Sequence, residues 1–226
     1  MPAERSVLMV VTSHGAIDAA HPTGVWFEEF AIPYALFREH GCRVTVASPK
    51  GGDTPIDPGS LEGYEATPRN EAARAALRNT RVLDASLRAE HFDAIFFPGG
   101  HGTMFDLPDN EEVQRLVSEF AQADKVLASV CHGPACLVGA RLRDGTALVK
   151  GRRLTSFTDD EERAVELDRS MPFLLETRLR ELGARFVPEE NWKDHVVVDG
   201  RLVTGQNPQS SASAARAVMR LLEDGS

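Results

Sequence analysis

An apolar run over residues 126–130 ends in Cys131-His132-Gly133-Pro134 and continues into Ala135-Cys136-Leu137-Val138, a stretch compatible with a helix. That order describes a nucleophile on a sharp strand-to-helix turn, the elbow of the serine hydrolases written with cysteine. A thiol there lies near a helix N-terminus, whose dipole and free N–H groups favour the thiolate, so Cys131 is expected to have a depressed pKa. Neighbours on a regular strand face opposite ways, but on a strained turn both can reach one site, which makes His132 a candidate acid/base. A second loop, Pro98-Gly99-Gly100-His101-Gly102, pairs two glycines that allow close backbone approach to a ligand. The N–H groups of Gly99 and Gly100, with that of His132, are candidate oxyanion donors. Glu28-Glu29 opens a helix whose face is otherwise apolar, and whichever of the two is buried beside the thiol would be kept protonated by desolvation. The run Asp159-Asp160-Glu161-Glu162 suits a solvated helix start, and one member is a candidate to orient His132. Cys42 and Cys136 read as packing residues.

Strand-length apolar runs alternate with helical periodicity. Residues 7–11 precede Trp26, Phe30, Pro33 and Phe37 on one helix face, and residues 44–47 follow. The unit repeats as residues 93–97, then Val113, Leu116, Val117 and Phe120, then residues 126–130. Continuous apolar runs are what parallel strands covered on both faces require. The expected architecture is α/β: a mostly parallel sheet with helices on both faces and chemistry at the carboxyl ends of the strands. The loops Thr12-Ser13-His14-Gly15, 98–102 and 131–134 then share one rim. A further strand is expected to end at Phe157. Val196-Val197-Val198, Asp199-Gly200 and Leu202-Val203 predict a late β-hairpin with a type I′ turn, closed by a helix over 210–222. The Gly-, Pro- and Asp-rich segment 49–68 reads as a long functional loop.

The 226 residues read as one domain, 1–226, with a formal charge of -9 and no basic cluster longer than Arg152-Arg153, which argues against nucleic acid. No run approaches the ~20 apolar residues of a membrane span, and no targeting pattern precedes the first strand, so a cytoplasmic location is expected. Three cysteines fit neither a disulfide framework nor a zinc ribbon.

Taken with Thr23-Gly24, Ala47-Ser48-Pro49-Lys50-Gly51-Gly52, Asp57-Pro58 and Leu202-Val203-Thr204-Gly205-Gln206-Asn207-Pro208, these motifs make the chain similar to the ThiJ/PfpI superfamily, on the flavodoxin-like sandwich of the class I glutamine amidotransferases. It most resembles the branch of heat-shock chaperones and glutathione-independent glyoxalases (glyoxalase III). The resemblance implies Cys131 as nucleophile, His132 as its partner and Gly100 as an oxyanion donor, with Gly99, His101 and Gly133 around the substrate. It implies Glu29 rather than Glu28 as the acid, five residues after Gly24. Of Asp159 and Glu162, Glu162 is favoured as the support of His132. The late His-x-Glu pair of the glutaminases is lacking, since His195 precedes Val196-Val197. Some relatives hold a metal with two histidines and a carboxylate; His21 and His101 have no compact ligand spacing, so neither metal nor cofactor is expected. The implied activity is conversion of a small aldehyde, methylglyoxal to lactate, with deglycation as related chemistry, in a homodimer. The rival readings are a stress holdase or redox sensor using Cys131, and a cysteine peptidase.

Overall fold

The structure, a computed structural model, describes residues 4–224; Met1–Ala3, ahead of the first strand, and residues 225–226 lie outside it. In chain order the elements are β1 (Ser6–Val10), α1 (Phe27–Glu39), β2 (Arg43–Ser48), α2 (Pro68–Leu77), β3 (Arg81–Val82), β4 (Ala94–Phe97), α3 (Thr103–Asp106), α4 (Glu111–Gln122), β5 (Val126–Val130), β6 (Arg153–Leu154), α5 (Asp159–Ala164), α6 (Leu175–Glu181), β7 (Arg185–Phe186), β8 (Val196–Asp199), β9 (Leu202–Gly205) and α7 (Ser211–Asp224). Seven strands form one sheet in the order β3-β2-β1-β4-β5-β9-β8, parallel except where β8 runs against β9; β6 and β7 form a separate parallel pair.

The apolar runs have a direct cause. Val7 and Met9 of β1 enter one buried cluster with Phe30 and Phe37 of α1 and Val218 of α7, while Leu8 and Val10 enter the other with Leu116 and Phe120 of α4. Both pleat faces are covered, so both must be apolar. Helix starts are equally local. Asn110 caps α4 by accepting from the Glu112 and Val113 N–H groups, and Thr67 caps α2 ahead of a proline in its first turn.

Three expectations change. Residues 155–157 are not a strand, because β6 stops at Leu154 and the Thr155 N–H donates instead to the Thr204 hydroxyl, 2.9 Å away. The segment after Cys131 is a short 3-10 turn, Gly133–Leu137, not an α-helix. The hairpin turn has positive φ at Gly200 (61°) but not at Arg201, the signature of type II′ with glycine first, not type I′.

Candidate active site

Loops after β1, β4 and β5 meet at the carboxyl rim, and the last of them carries the thiol. Cys131 has φ 60°, a left-handed conformation that costs a non-glycine residue energy and persists only where its surroundings hold it. They do: the Cys131 N–H donates to Gly205 O (3.0 Å), and its carbonyl accepts from the Phe157 N–H (2.8 Å). Gly133 completes the elbow by lying against the β4 loop, where a Cβ would come within 2.1 Å of Phe97 O. Gly133→Ala is therefore expected to lower stability by about 1–3 kcal/mol, the usual cost of overpacking, as read by urea unfolding.

The strained turn aims both neighbours into one place. Cys131 Sγ is 3.3 Å from His132 Nδ1, and His132 Nε2 is 2.7 Å from Glu162 Oε2. A carboxylate only accepts, so Glu162 fixes the proton on Nε2 and leaves Nδ1 as the acceptor facing sulfur. The other oxygen, Glu162 Oε1, is 2.8 Å from His101 Nε2, and the two imidazole rings lie tilted to one another with centroids 4.2 Å apart. Burial works against a charge on Glu162, but His132 and His101 outweigh it and hold the carboxyl well below the usual range. Burial and His101 lower the pKa of His132 and outweigh the opposing pull of Glu162, so it rests as a neutral base.

On the sulfur's other side, Glu29 is wholly buried while Glu28 is exposed. Burial raises the Glu29 pKa from 4.5 to about 8, against the opposing influence of the Cys131 thiol and the Gly99 N–H. Its Oε2 accepts from that N–H at 2.7 Å, and Oε1 accepts no hydrogen bond among the described residues. The carboxyl is thus neutral at pH 7, with an oxygen free to donate.

Two expectations need correcting. The Cys131 pKa is pushed up, first by burial and then by Glu29, not depressed. Gly99 is not an oxyanion donor, since its N–H is committed to Glu29. The N–H groups of Gly100 and His132 meet no acceptor among the described residues. Gly100, at φ 99°, sits so close to Gly24 O that a Cβ would approach to 2.2 Å. Thr103 Oγ1 ties the two loops together, lying within hydrogen-bond distance of Gly100 O and His132 O.

Asp159 points elsewhere, to Thr177. His21 is exposed and paired with Asp18, away from this cluster. His101, His132 and Glu162 do offer ligand atoms within 4.8 Å of one another and could hold a divalent cation. The cation would have to displace both hydrogen bonds to Glu162, including the one that gives His132 its tautomer, so the set fits the relay better than it fits a metal.

The sequence reading missed an aromatic wall. Phe157 lies 4.5 Å from the His132 ring, and Trp192 lies 5.7 Å from Phe157. Neither position has a local signal, because only the tertiary approach of two loops makes the pair. By contrast the acidic run 159–162 was legible as a helix start, which Thr158 and Glu161 close with a capping box, though Glu161 and Glu162 are buried and not solvated.

A model of the DJ-1/PfpI family matches residues 22–221. The chain belongs to that family. Among DJ-1/PfpI relatives, it is 33% identical to the Schizosaccharomyces pombe protein named glutathione-independent glyoxalase hsp3101, covering 98% of this chain and 97% of that one. It is 31% identical to glyoxalase 3 of Candida albicans, covering 96% and 98%. The solved structure of Candida albicans glyoxalase III superposes with a TM-score of 0.87 at 28% identity over 96% of this chain and 97% of that one. Rapid Encystment Protein 24 kDa of Francisella tularensis does so with 0.90 at 32% identity over 96% and 99%. The family's mostly parallel α/β fold with its late hairpin is the one described above.

Proposed function

We propose that the protein is a glutathione-independent glyoxalase that converts methylglyoxal to lactate at Cys131. The observation that carries this reading is the arrangement around one sulfur: a neutral imidazole nitrogen at 3.3 Å, oriented by a carboxylate, and a neutral carboxyl on the opposite side. The names of the relatives support the same reaction.

The resting thiol is neutral, so attack needs a base. His132 Nδ1 takes the thiol proton as sulfur adds to the aldehyde carbon, and the carbonyl oxygen, held by the Gly100 and His132 N–H groups, takes a proton from Glu29. The product is a hemithioacetal, and Glu29 is now a carboxylate. It removes the hydrogen from the former aldehyde carbon while the His132 imidazolium protonates the ketone oxygen, giving an enediol. Glu29 returns that proton to the adjacent carbon and takes up the hydroxyl proton beside sulfur, which leaves a lactoyl thioester and a neutral Glu29. Water attacks the thioester, releases lactate and restores the thiol. The oxidised aldehyde carbon is balanced by the reduced ketone carbon, so no external oxidant or reductant is required.

The test is incubation of the reduced protein with methylglyoxal in the absence of glutathione, reading lactate and aldehyde loss. Steady turnover is expected. Stoichiometric trapping of aldehyde on Cys131 without lactate release would overturn the reading.

A further inference from the structure

The segment Gly205-Gln206-Asn207 and the buried Glu161 take no part in the chemistry above, yet they occupy the space behind it. The helix α5 has six residues, too few to hold its shape unaided, and it carries the Glu162 carboxylate that orients His132. Glu161 is wholly buried, a position a carboxyl rarely occupies unless paired.

Its two oxygens receive five donors from three separate stretches of chain. Oε2 accepts from the Thr158 N–H (3.0 Å) and hydroxyl (3.2 Å). Oε1 accepts from the Trp192 N–H (2.9 Å), Gln206 Nε2 (3.2 Å) and Asn207 Nδ2 (2.9 Å). The same two amides also hold the loop that carries Trp192. Gln206 Oε1 accepts from the Glu189 N–H, and Asn207 Nδ2 donates to Lys193 O, each at 2.9 Å. Trp192 is left at φ 65°, a conformation that a bulky residue adopts only under constraint. One residue earlier in the same segment, Gly205 O accepts the Cys131 N–H.

Adjacent helix residues point about 100° apart, so as Glu162 faces the histidines, Glu161 faces these loops. From this convergence we infer that Glu161 is a positioning residue: it sets the register of Glu162 against His132 and, through Trp192 and Phe157, seats the aromatic wall on the His132 ring. The inference rests on the Cys131–His132–Glu162 relay proposed above. An apolar residue at 161 would remove the acceptor that five donors share, and glutamine would present an amide where at least one donor already points. The charge matters as well. Glu161 supports the imidazolium form of His132, alongside Glu162 and against His101, so losing it makes His132 a weaker base.

The experiment compares Glu161→Gln with Glu162→Gln and the unaltered protein. Turnover is expressed per folded protein, taken from the folded fraction that circular dichroism reads at the assay temperature, which removes any loss due to unfolded protein. Glu161→Gln is expected to lower kcat by roughly 10-fold or more, as misplacement of reacting groups does, and to move the acid limb of kcat/KM to lower pH. Acrylamide quenching of Trp192, isolated by subtraction of a Trp192→Phe variant, should increase. An unchanged kcat per folded protein and an unchanged acid limb, with only a lower Tm, would reduce Glu161 to a structural residue and overturn the inference.

Glu162→Gln separates the two readings. If it too leaves the acid limb in place, the relay itself fails. If it moves the limb and Glu161→Gln does not, only the inference fails. Should Glu161→Gln not fold, Gln206→Met removes one donor from Glu161 at similar volume and must give a smaller change in the same direction. Trp192→Gly suits the positive φ and keeps the N–H on Glu161. It is expected to raise KM without moving the acid limb; movement of that limb would show that the wall, not the Glu161 contact, sets the base.

Discussion

Replacing Cys131 by serine is expected to reduce glutathione-free methylglyoxal turnover by about 10⁴-fold or more, the scale seen when a covalent nucleophile is removed. The size of the effect follows from where the thiol sits. A serine hydroxyl at φ 60° would occupy the same elbow, held by Gly205 O and the Phe157 N–H, and would face the same His132 nitrogen. It has a far higher intrinsic pKa than a thiol, and burial raises it further, so His132, itself a weakened base, cannot generate enough nucleophile. The serine variant should keep its Tm, since an oxygen replaces sulfur in a nearly buried position without creating a large cavity. Residual lactate formation within 10-fold of the unaltered protein would show that the chemistry does not pass through sulfur.

Glu29→Gln should separate activity from stability. Glutamine can still accept from the Gly99 N–H and donate from its amide, but it cannot release a proton to the substrate oxygen or take one from carbon. Turnover is expected to fall by about 10² or more, the low end for general acid–base catalysis. Stability should move the other way. The Glu29 pKa is raised in the folded protein, from 4.5 to about 8, so its contribution to stability is fully present below 4.5 and is lost as pH rises toward 8. Glutamine carries no such dependence. The variant should therefore match the unaltered protein near pH 4.5 and exceed it by about 3 kcal/mol at pH 7, at 1.36 kcal/mol per pKa unit. The depressed pKa of Glu162 acts in the opposite sense, its stabilisation being lost at acid pH, but it is common to both proteins and cancels in the difference. Urea unfolding at the two pH values checks this. A variant no more stable at pH 7 than at pH 4.5, relative to the unaltered protein, would mean that Glu29 is ionised in the fold.

The same carboxyl accounts for the alkaline side of the reaction. Above about 8, Glu29 loses the proton it must donate, so kcat/KM should decline there in the unaltered protein. On the acid side, activity declines as His132 is protonated and can no longer accept from sulfur.

The sequence alone determined the layered sheet, because strands covered on both sides must be apolar at every position and helices must be apolar every third or fourth. Residues 126–130 coincide with β5, and Val113, Leu116, Val117 and Phe120 form the buried face of α4. The elbow was legible too, since a strand running into Cys131-His132-Gly133-Pro134 leaves few backbone paths. What the sequence could not determine were properties that depend on distance across the fold. The desolvation that raises the Cys131 pKa comes from burial between loops, and the further push comes from Glu29 on a distant helix, neither of which a local argument can see. The removal of Gly99 from the oxyanion donors required knowing that Glu29, seventy residues earlier, accepts its N–H. The fourfold acidic run offered several chemically equivalent carboxyls, and only the rotation of α5 turns Glu162 toward the histidines, Glu161 toward Gln206 and Asn207, and Asp159 toward Thr177. Composition and periodicity describe which side chains a segment offers; their partners are set when packing fixes the orientation of each short element.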